Sequence, residues 1–128
     1  MKPLVKGTDL LIRLEWLALA AAAVLLYGYA GGSWWLFAAL LLLPDLSMLG
    51  YLAGPRLGAV TYNALHNLIA PLLLGVAGLV AASPLAMELA LVWTAHIAID
   101  RLLGYGLKLP TGFQDTHLGR IGRGRVNP

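Results

Sequence analysis

The sequence contains no cysteine and few charged residues, and both shortages restrict what the protein can be. Without cysteine the chain forms no disulfide, no thiolate metal site and no cysteine nucleophile. Only 12% of the 128 residues are charged, 59% are hydrophobic, and the mean hydropathy is +0.77. A typical soluble domain carries about 25% charged residues. The composition therefore predicts a single-domain integral membrane protein.

The positions of the basic residues explain the net charge of +3. Arg120, Arg123 and Arg125 form a short basic run close behind the last apolar segment, where anionic lipid headgroups are the expected partners. We therefore predict membrane lipids as partners and no nucleic acid.

Four apolar segments follow one another, each close to the roughly 20 residues that a spanning helix needs. They cover residues 9–30, 34–53, 59–82 and 85–105, and a tail covers residues 106–128. Short connections make neighbouring helices antiparallel, so we predict an all-α fold, an up-down four-helix transmembrane bundle. The basic residues fall at one end of it, as Lys2, Lys6, Arg13, Arg56 and the basic residues of the tail do. The positive-inside rule then predicts a multi-pass protein with both termini in the cytoplasm.

Polar side chains recur at one depth of the predicted bundle. Counted from the cytoplasmic ends of the helices, they lie roughly 9–14 Å into the membrane at 1.5 Å per residue. The ionisable ones are Glu15, Asp45, His66 and His96, with Asp100 one turn from His96. Tyr62, Asn63 and Asn67 surround His66 as a supporting polar layer. Because ionisable groups are costly at this depth unless they are partnered or functional, we predict that the layer contains the site.

Two prolines fall inside predicted helices. Proline removes a backbone donor and displaces the carbonyl group one turn earlier. Pro44 is therefore predicted to kink the second helix and aim the carboxylate of Asp45 inward, and Pro71 is predicted to kink the third helix.

The residue types of this layer suit a divalent metal ion. Imidazole nitrogen and carboxylate oxygen are ligands of Zn²⁺, Mn²⁺ and Fe²⁺. The predicted ligands are Asp45, His66, His96 and Asp100. Glu15 is predicted as a fifth ligand or as the base that takes a proton from a metal-activated water, with Asp115 as the other candidate for moving that proton. The alternative is a hydrogen-bonded network that only fixes the helix register.

Two further interpretations concern the histidines and the tail. His66 and His96 could instead ligate a b-type haem axially, although carboxylates beside the pair argue against a macrocycle there. The tail, with Lys108, Asp115 and His117, either folds back beneath the bundle or anchors the chain at the headgroups. The anchor is the favoured prediction.

Several motifs together carry a family resemblance. They are Pro44 with Asp45, the stretch 62–67, His96 with Asp100, and the tail stretches 104–108 and 112–119. On these motifs the chain resembles a family of small bacterial four-helix integral membrane proteins of unknown function, which implies the bacterial inner membrane. It is more loosely similar to membrane-bound metal-dependent hydrolases, which combine a Pro-Asp pair, an intramembrane histidine and a later His-x-x-x-Asp. That similarity implies that the four predicted ligands bind metal. The chain is shorter than those hydrolases, and Thr116 with His117 would have to stand in for their Thr-His pair.

Three functions remain open from the sequence. The first is a metal-dependent hydrolase acting at the inner leaflet on a lipid-linked or amphiphilic substrate, whose anionic headgroup Arg56 or Arg101 attracts. The second is a small proton-coupled transporter working as a homodimer, because Glu15 on the first of four helices looks like the acid of multidrug exporters. The third is a non-catalytic accessory subunit of a larger membrane complex.

Overall fold

The computed structural model describes residues 6–111 and 114–120, which form helices followed by a short hairpin. The helices are α1 (Lys6–Tyr29), α2 (Trp34–Leu41), the 3₁₀ helix η1 (Leu43–Ala53), α3 (Pro55–Leu65), α4 (Ile69–Val80) and α5 (Pro84–Leu103). The strands β1 (Asp115–Thr116) and β2 (Gly119–Arg120) pair antiparallel. The predicted all-α fold class is confirmed.

Among the residues that the structure describes, three helical stretches are long and apolar enough to cross a membrane, namely Gly7–Tyr29, Trp34–Ala53 and Pro55–Val80. α5 has 20 residues and carries Glu88, Asp100 and Arg101. Large aliphatic side chains face outward, as Leu25 (72% exposed) and Leu72 (61% exposed) do. An apolar exterior of this kind is typical of helices that face lipid. The helices are therefore those of a membrane protein.

α5 is the central element of the bundle. α1, α2 and α4 pack against α5, while α3 packs against η1. The buried residues of α1 and α5 include many alanines, such as Ala20, Ala23, Ala95 and Ala98. Small side chains allow helices to approach closely without a large aliphatic core. The other helices therefore pack closely around α5, which carries His96 and Asp100.

The second and third predicted helices are interrupted in the structure. α2 ends at Leu41 and the chain continues from Leu43 as a 3₁₀ helix, which begins beside Pro44. In the third segment the interruption covers residues 66–68, between α3 and α4. The kink predicted at Pro71 is therefore displaced to His66. Pro71 lies in the first turn of α4, where a backbone N–H has no intrahelical acceptor, so a proline there disturbs nothing.

α5 ends at a glycine whose backbone conformation redirects the chain. Gly104 has a φ of +91°, a left-handed conformation that favours glycine. The N–H of Tyr105 donates to the carbonyl oxygen of Asp100 at 2.8 Å, which closes the helix end. The chain then returns toward α3, and Lys108 forms a backbone bridge with Thr116.

Candidate metal centre

Four side chains that are far apart in the sequence meet inside the bundle. His66 Nε2 lies 3.2 Å from Asp45 Oδ1 and 3.6 Å from Asp100 Oδ2. His96 Nε2 lies 3.2 Å and 3.4 Å from the same two oxygen atoms. The two Nε2 atoms are 3.1 Å apart. We call this group the His/Asp cluster; its members, Asp45, His66, His96 and Asp100, are the residues predicted as metal ligands.

Five of the six distances between the donor atoms of the His/Asp cluster fit the edges of a tetrahedron, and all four atoms lie within 4.8 Å of one another. Metal bonds of about 2.0–2.1 Å, directed at tetrahedral corners, place neighbouring ligand atoms about 3.3 Å apart. The five distances above range from 3.1 to 3.6 Å. The cluster therefore has the dimensions of a four-coordinate site for a small divalent ion.

A backbone carbonyl group orients each histidine of the cluster. His66 Nδ1 lies 2.7 Å from the carbonyl oxygen of Tyr62, and His96 Nδ1 lies 2.5 Å from that of Leu41. Because a carbonyl oxygen can only accept, Nδ1 carries a proton in both rings, and Nε2 presents a lone pair wherever the ring is neutral. Histidines that bind metal typically use the second ring nitrogen in this way. Two lone-pair nitrogens and two carboxylates then face one another, which is repulsive unless a metal ion or a proton lies among them.

Side chains of α5 satisfy the carbonyl groups at both helix interruptions. Non-helical backbone is tolerated at membrane depth only where protein groups satisfy it. The donor and acceptor pairs are His96 with Leu41 at 2.5 Å, Trp93 Nε1 with Leu65 at 2.7 Å, and Arg101 with His66 at 2.9 Å. α5 therefore carries two members of the cluster and also stabilises the segments that carry the other two. The sequence contains no local signal for these bonds, since the partners are 28 to 55 residues apart.

The cluster is buried unevenly. The side chains of His66 and His96 are 0% and 5% exposed, whereas those of Asp100 and Asp45 are 16% and 35% exposed. Asp45 lies in the first turn of η1, directly after Pro44. Asp45 is therefore the member of the cluster that is most accessible from outside the bundle.

The separation of the two histidines also bears on haem. Axial ligands on opposite faces of an iron atom lie about 4 Å apart, which is twice a metal–nitrogen bond of about 2.0 Å. His66 Nε2 and His96 Nε2 are only 3.1 Å apart. This spacing suits neighbouring corners of one coordination shell and not opposite faces of a macrocycle.

The predicted polar layer divides into two parts. The ring of Tyr62 stacks on that of His66 with centroids 3.7 Å apart, and its hydroxyl group lies 3.5 Å from Asp100 Oδ2. Tyr62 therefore borders the cluster. Asn67 instead supports the chain, because its Nδ2 donates to the carbonyl of Asn63 at 2.7 Å and its Oδ1 accepts from the N–H of Ile69 at 2.9 Å.

Asn63 holds the tail against the bundle. Its Nδ2 donates to the carbonyl of Lys108 at 2.7 Å, and its Oδ1 accepts from the N–H of Lys108 at 2.6 Å. The Lys108 side chain is buried, with Nζ 5.0 Å from the centre of the Tyr62 ring. Burial lowers the pKa of Lys108, opposed by the Asp100 carboxylate. The described part of the tail folds back onto the bundle, as in the less favoured of the two sequence predictions.

His117 stabilises the returning tail and is separate from the cluster. The N–H of Leu107 donates to His117 Nδ1 at 2.7 Å, and the N–H of His117 donates to the carbonyl of Leu107 at 2.9 Å. Burial and the Arg101 guanidinium lower the pKa of His117 below its ordinary value. The neutral ring is therefore the form that fits the docked tail.

The two residues predicted to move protons are not joined to the cluster by any described contact. Glu15 lies on α1 with an exposed side chain, and within the described ranges no ion pair or hydrogen bond links it to the four ligands. Asp115 pairs through its backbone with Arg120, while its side chain lies outside the described part of the structure. Both proton-transfer roles stay predictions.

Comparison with known proteins places the cluster inside a family match. The family described as "Domain of unknown function (DUF4260)" matches residues 9–121, which include all four members of the cluster. No curated protein and no solved structure matches the chain. The match agrees with the resemblance to a family of unknown function, and the reaction has to be inferred from the site.

Proposed function

This chain belongs to the DUF4260 family, and we propose that it is a membrane hydrolase whose divalent metal ion is held by the His/Asp cluster. The observation that carries the proposal is the convergence of four donor atoms, with five of their six separations close to a tetrahedral edge and both histidines oriented through Nδ1. The substrate is a lipid-linked or amphiphilic molecule in the cytoplasmic leaflet of the bacterial inner membrane.

The charges of the cluster favour a cation. The two carboxylates contribute two negative charges, and imidazole rings that donate through Nδ1 while Nε2 keeps its lone pair are neutral. Unpaired buried carboxylates are costly in a membrane, whereas a divalent cation neutralises both. The mixed nitrogen and oxygen ligands suit Zn²⁺, Mn²⁺ or Fe²⁺.

Hydrolysis needs an open coordination position, and Asp45 is the ligand that can provide it. The ion, when bound, polarises the scissile group and lowers the pKa of water. Catalytic sites commonly keep three protein ligands and leave the fourth position for water or substrate. Asp45 is the most exposed member of the cluster, so His66, His96 and Asp100 would hold the ion while the Asp45 carboxylate would accept a proton from the attacking water. Tyr62 would hold the carboxylate of Asp100 in place.

The test is turnover of ester and phosphate amphiphiles by the purified protein in liposomes, followed by mass spectrometry. We expect chelation to abolish turnover and added Zn²⁺ or Mn²⁺ to restore it. His96→Ala should abolish turnover, while the control His117→Ala, which changes the histidine outside the cluster, should retain it. Turnover that survives chelation, or equal rates in the two alanine variants, would contradict the proposal.

A structural metal site is the second candidate function. One observation favours it, since four protein ligands can complete a tetrahedron without any open position, as in closed structural sites. The ion would then join η1, the interruption at His66 and α5. This candidate predicts that chelation lowers the unfolding temperature while no substrate is hydrolysed under any metal condition.

A further inference from the structure

An apolar cavity of about 240 Å³ lies between the segments that carry the His/Asp cluster. Its walls include Leu43 and Pro44, Leu65 and Leu74, and Val92 and Trp93. The one polar atom of the Trp93 side chain, Nε1, already donates to the carbonyl of Leu65. The cavity is therefore suited to an apolar guest.

The cavity adjoins the cluster on three segments. Pro44 directly precedes Asp45, Leu65 directly precedes His66, and Trp93 lies about one helical turn before His96. Each segment thus supplies both a wall residue and a potential ligand. The wall residues are therefore sequence neighbours of the cluster, and the cluster side chains themselves do not line the cavity.

The cavity also extends in one direction from the cluster. Leu40 and Leu89 precede the ligands Asp45 and His96, whereas Leu74 follows the ligand His66 on a chain that runs in the opposite direction. In antiparallel segments these positions lie on the same side of the cluster. The tail docks at Asn63, which precedes His66 and so lies toward the other side. The cavity therefore lies on the side of the cluster that faces the middle of the bundle.

We propose that this cavity binds the acyl or alkyl chain of a linear amphiphile whose polar group lies at the His/Asp cluster. This inference rests on the proposed function and names the substrate class of that same site. A lipid of the cytoplasmic leaflet has this orientation, with its polar group near the basic face and its chain toward the bilayer centre. The volume is below the roughly 300–1,000 Å³ of pockets for drug-sized ligands, which suits one chain.

The probe is a long-chain fatty acid that carries a diazirine at the end of its chain. Its carboxyl group, ionised beside a bound metal ion or protonated without one, can lie at the cluster, and the diazirine labels the residues around the chain end after irradiation. The wild-type protein in liposomes should be labelled at Leu74 and Leu89, with the labelled residues located by fragment-ion mass spectrometry. Leu74→Trp fills the cavity and should lose this labelling, whereas the control Leu73→Trp changes a side chain that is 66% exposed and should retain it.

Metal content measured on the same samples separates this inference from the proposed function. If the wild type and Leu73→Trp each show cavity labelling and bound metal, the result supports the chain-binding cavity and the metal proposal. Cavity labelling that Leu74→Trp removes, in a protein without metal, supports the chain-binding cavity and overturns the metal proposal. Bound metal with labelling only on outward-facing residues, unchanged in Leu74→Trp, overturns the cavity. If a second copy of the chain covers the opening and the cavity is not labelled, the chain-binding proposal is overturned as well.

Discussion

His66 Nε2 and His96 Nε2 lie 3.1 Å apart, and each ring donates its Nδ1 proton to a backbone carbonyl group. When both rings are neutral, two Nε2 lone pairs are therefore held face to face by bonds that the protein makes elsewhere. Three parts of the chain meet at this pair of rings. They are the interrupted α2–η1 segment, the interruption that precedes α4, and the helix α5. We therefore expect the stability of the bundle to depend on the cation that lies between the two rings.

The first prediction concerns the stability that a bound metal gives. A ligand present at 100 times its Kd stabilises the folded state by about 2.7 kcal/mol. Chelation should therefore lower the unfolding temperature of the wild-type protein, measured by intrinsic fluorescence in detergent. His66→Ala should show no chelator effect, and His117→Ala should respond like the wild type. Equal responses in all three proteins would contradict a metal at the cluster.

The second prediction concerns Arg101, whose guanidinium donates to the carbonyls of His66 and Tyr105 at 2.9 and 3.0 Å. Hydrogen bonds from charged groups contribute about 1.5–3 kcal/mol, and a buried carbonyl left without a partner is costly. Arg101→Gln should therefore lower the free energy of unfolding by that amount, measured by denaturant titration. Arg56→Gln, at an exposed position, should change it by less than about 0.5 kcal/mol. Similar losses in both variants would show that the guanidinium does not stabilise the interruption at His66.

The third prediction concerns the docking of the tail. Asn63→Ala removes two hydrogen bonds to the backbone of Lys108, worth about 1 kcal/mol each. Trypsin cleavage after Lys108 should then become roughly 30-fold faster, because the undocked form is populated that much more. Asn67→Ala removes an asparagine that lies one turn away and does not bond the tail. Trypsin should cleave this variant at close to the wild-type rate. Unchanged cleavage in Asn63→Ala would show that other contacts hold the tail.

The fourth prediction is a pH dependence of the same docking. Burial and the Arg101 guanidinium lower the pKa of His117 below its ordinary value of 6.5, so docking favours the neutral ring. This contribution is complete above pH 6.5 and is lost as the pH falls through the lowered pKa, when protonation breaks the bond from the Leu107 N–H. Protection of the Leu107 amide against hydrogen exchange, corrected for intrinsic rates, should fall accordingly. His117→Asn keeps an acceptor but does not titrate in this range, so protection of the Leu107 amide in this variant should not vary with pH. Protection that is also constant in the wild type would contradict the prediction.

The sequence allowed the helical architecture and the meeting of the four cluster residues to be predicted for identifiable reasons. Long apolar segments indicated the helices, and rare ionisable residues such as His66 and His96 could be matched by depth on antiparallel neighbours. Pro44 indicated one of the two interruptions. The other interruption, at His66, contains no proline or glycine that would indicate it in the sequence. It is stabilised by a hydrogen bond from Arg101, which lies 35 residues later in the chain.

Sequence patterns did not predict the position of the tail. It depends on the pairing of the Asn63 side chain with the backbone of Lys108, which is 45 residues away. Composition instead favoured an interfacial anchor, since the tail has basic and aromatic residues typical of headgroup contacts. Backbone hydrogen bonding by a single amide side chain leaves no periodic signal.

The most direct measurement is the metal content per chain of the detergent-purified protein, determined by inductively coupled plasma mass spectrometry. Wild type, His96→Ala and His117→Ala should be purified identically, each with and without metal supplementation. We predict close to one Zn, Mn or Fe per chain in the wild type and in His117→Ala, and none in His96→Ala. Wild-type protein that stays without metal after supplementation, or equal metal in all three proteins, would contradict the assignment of the His/Asp cluster as a metal site.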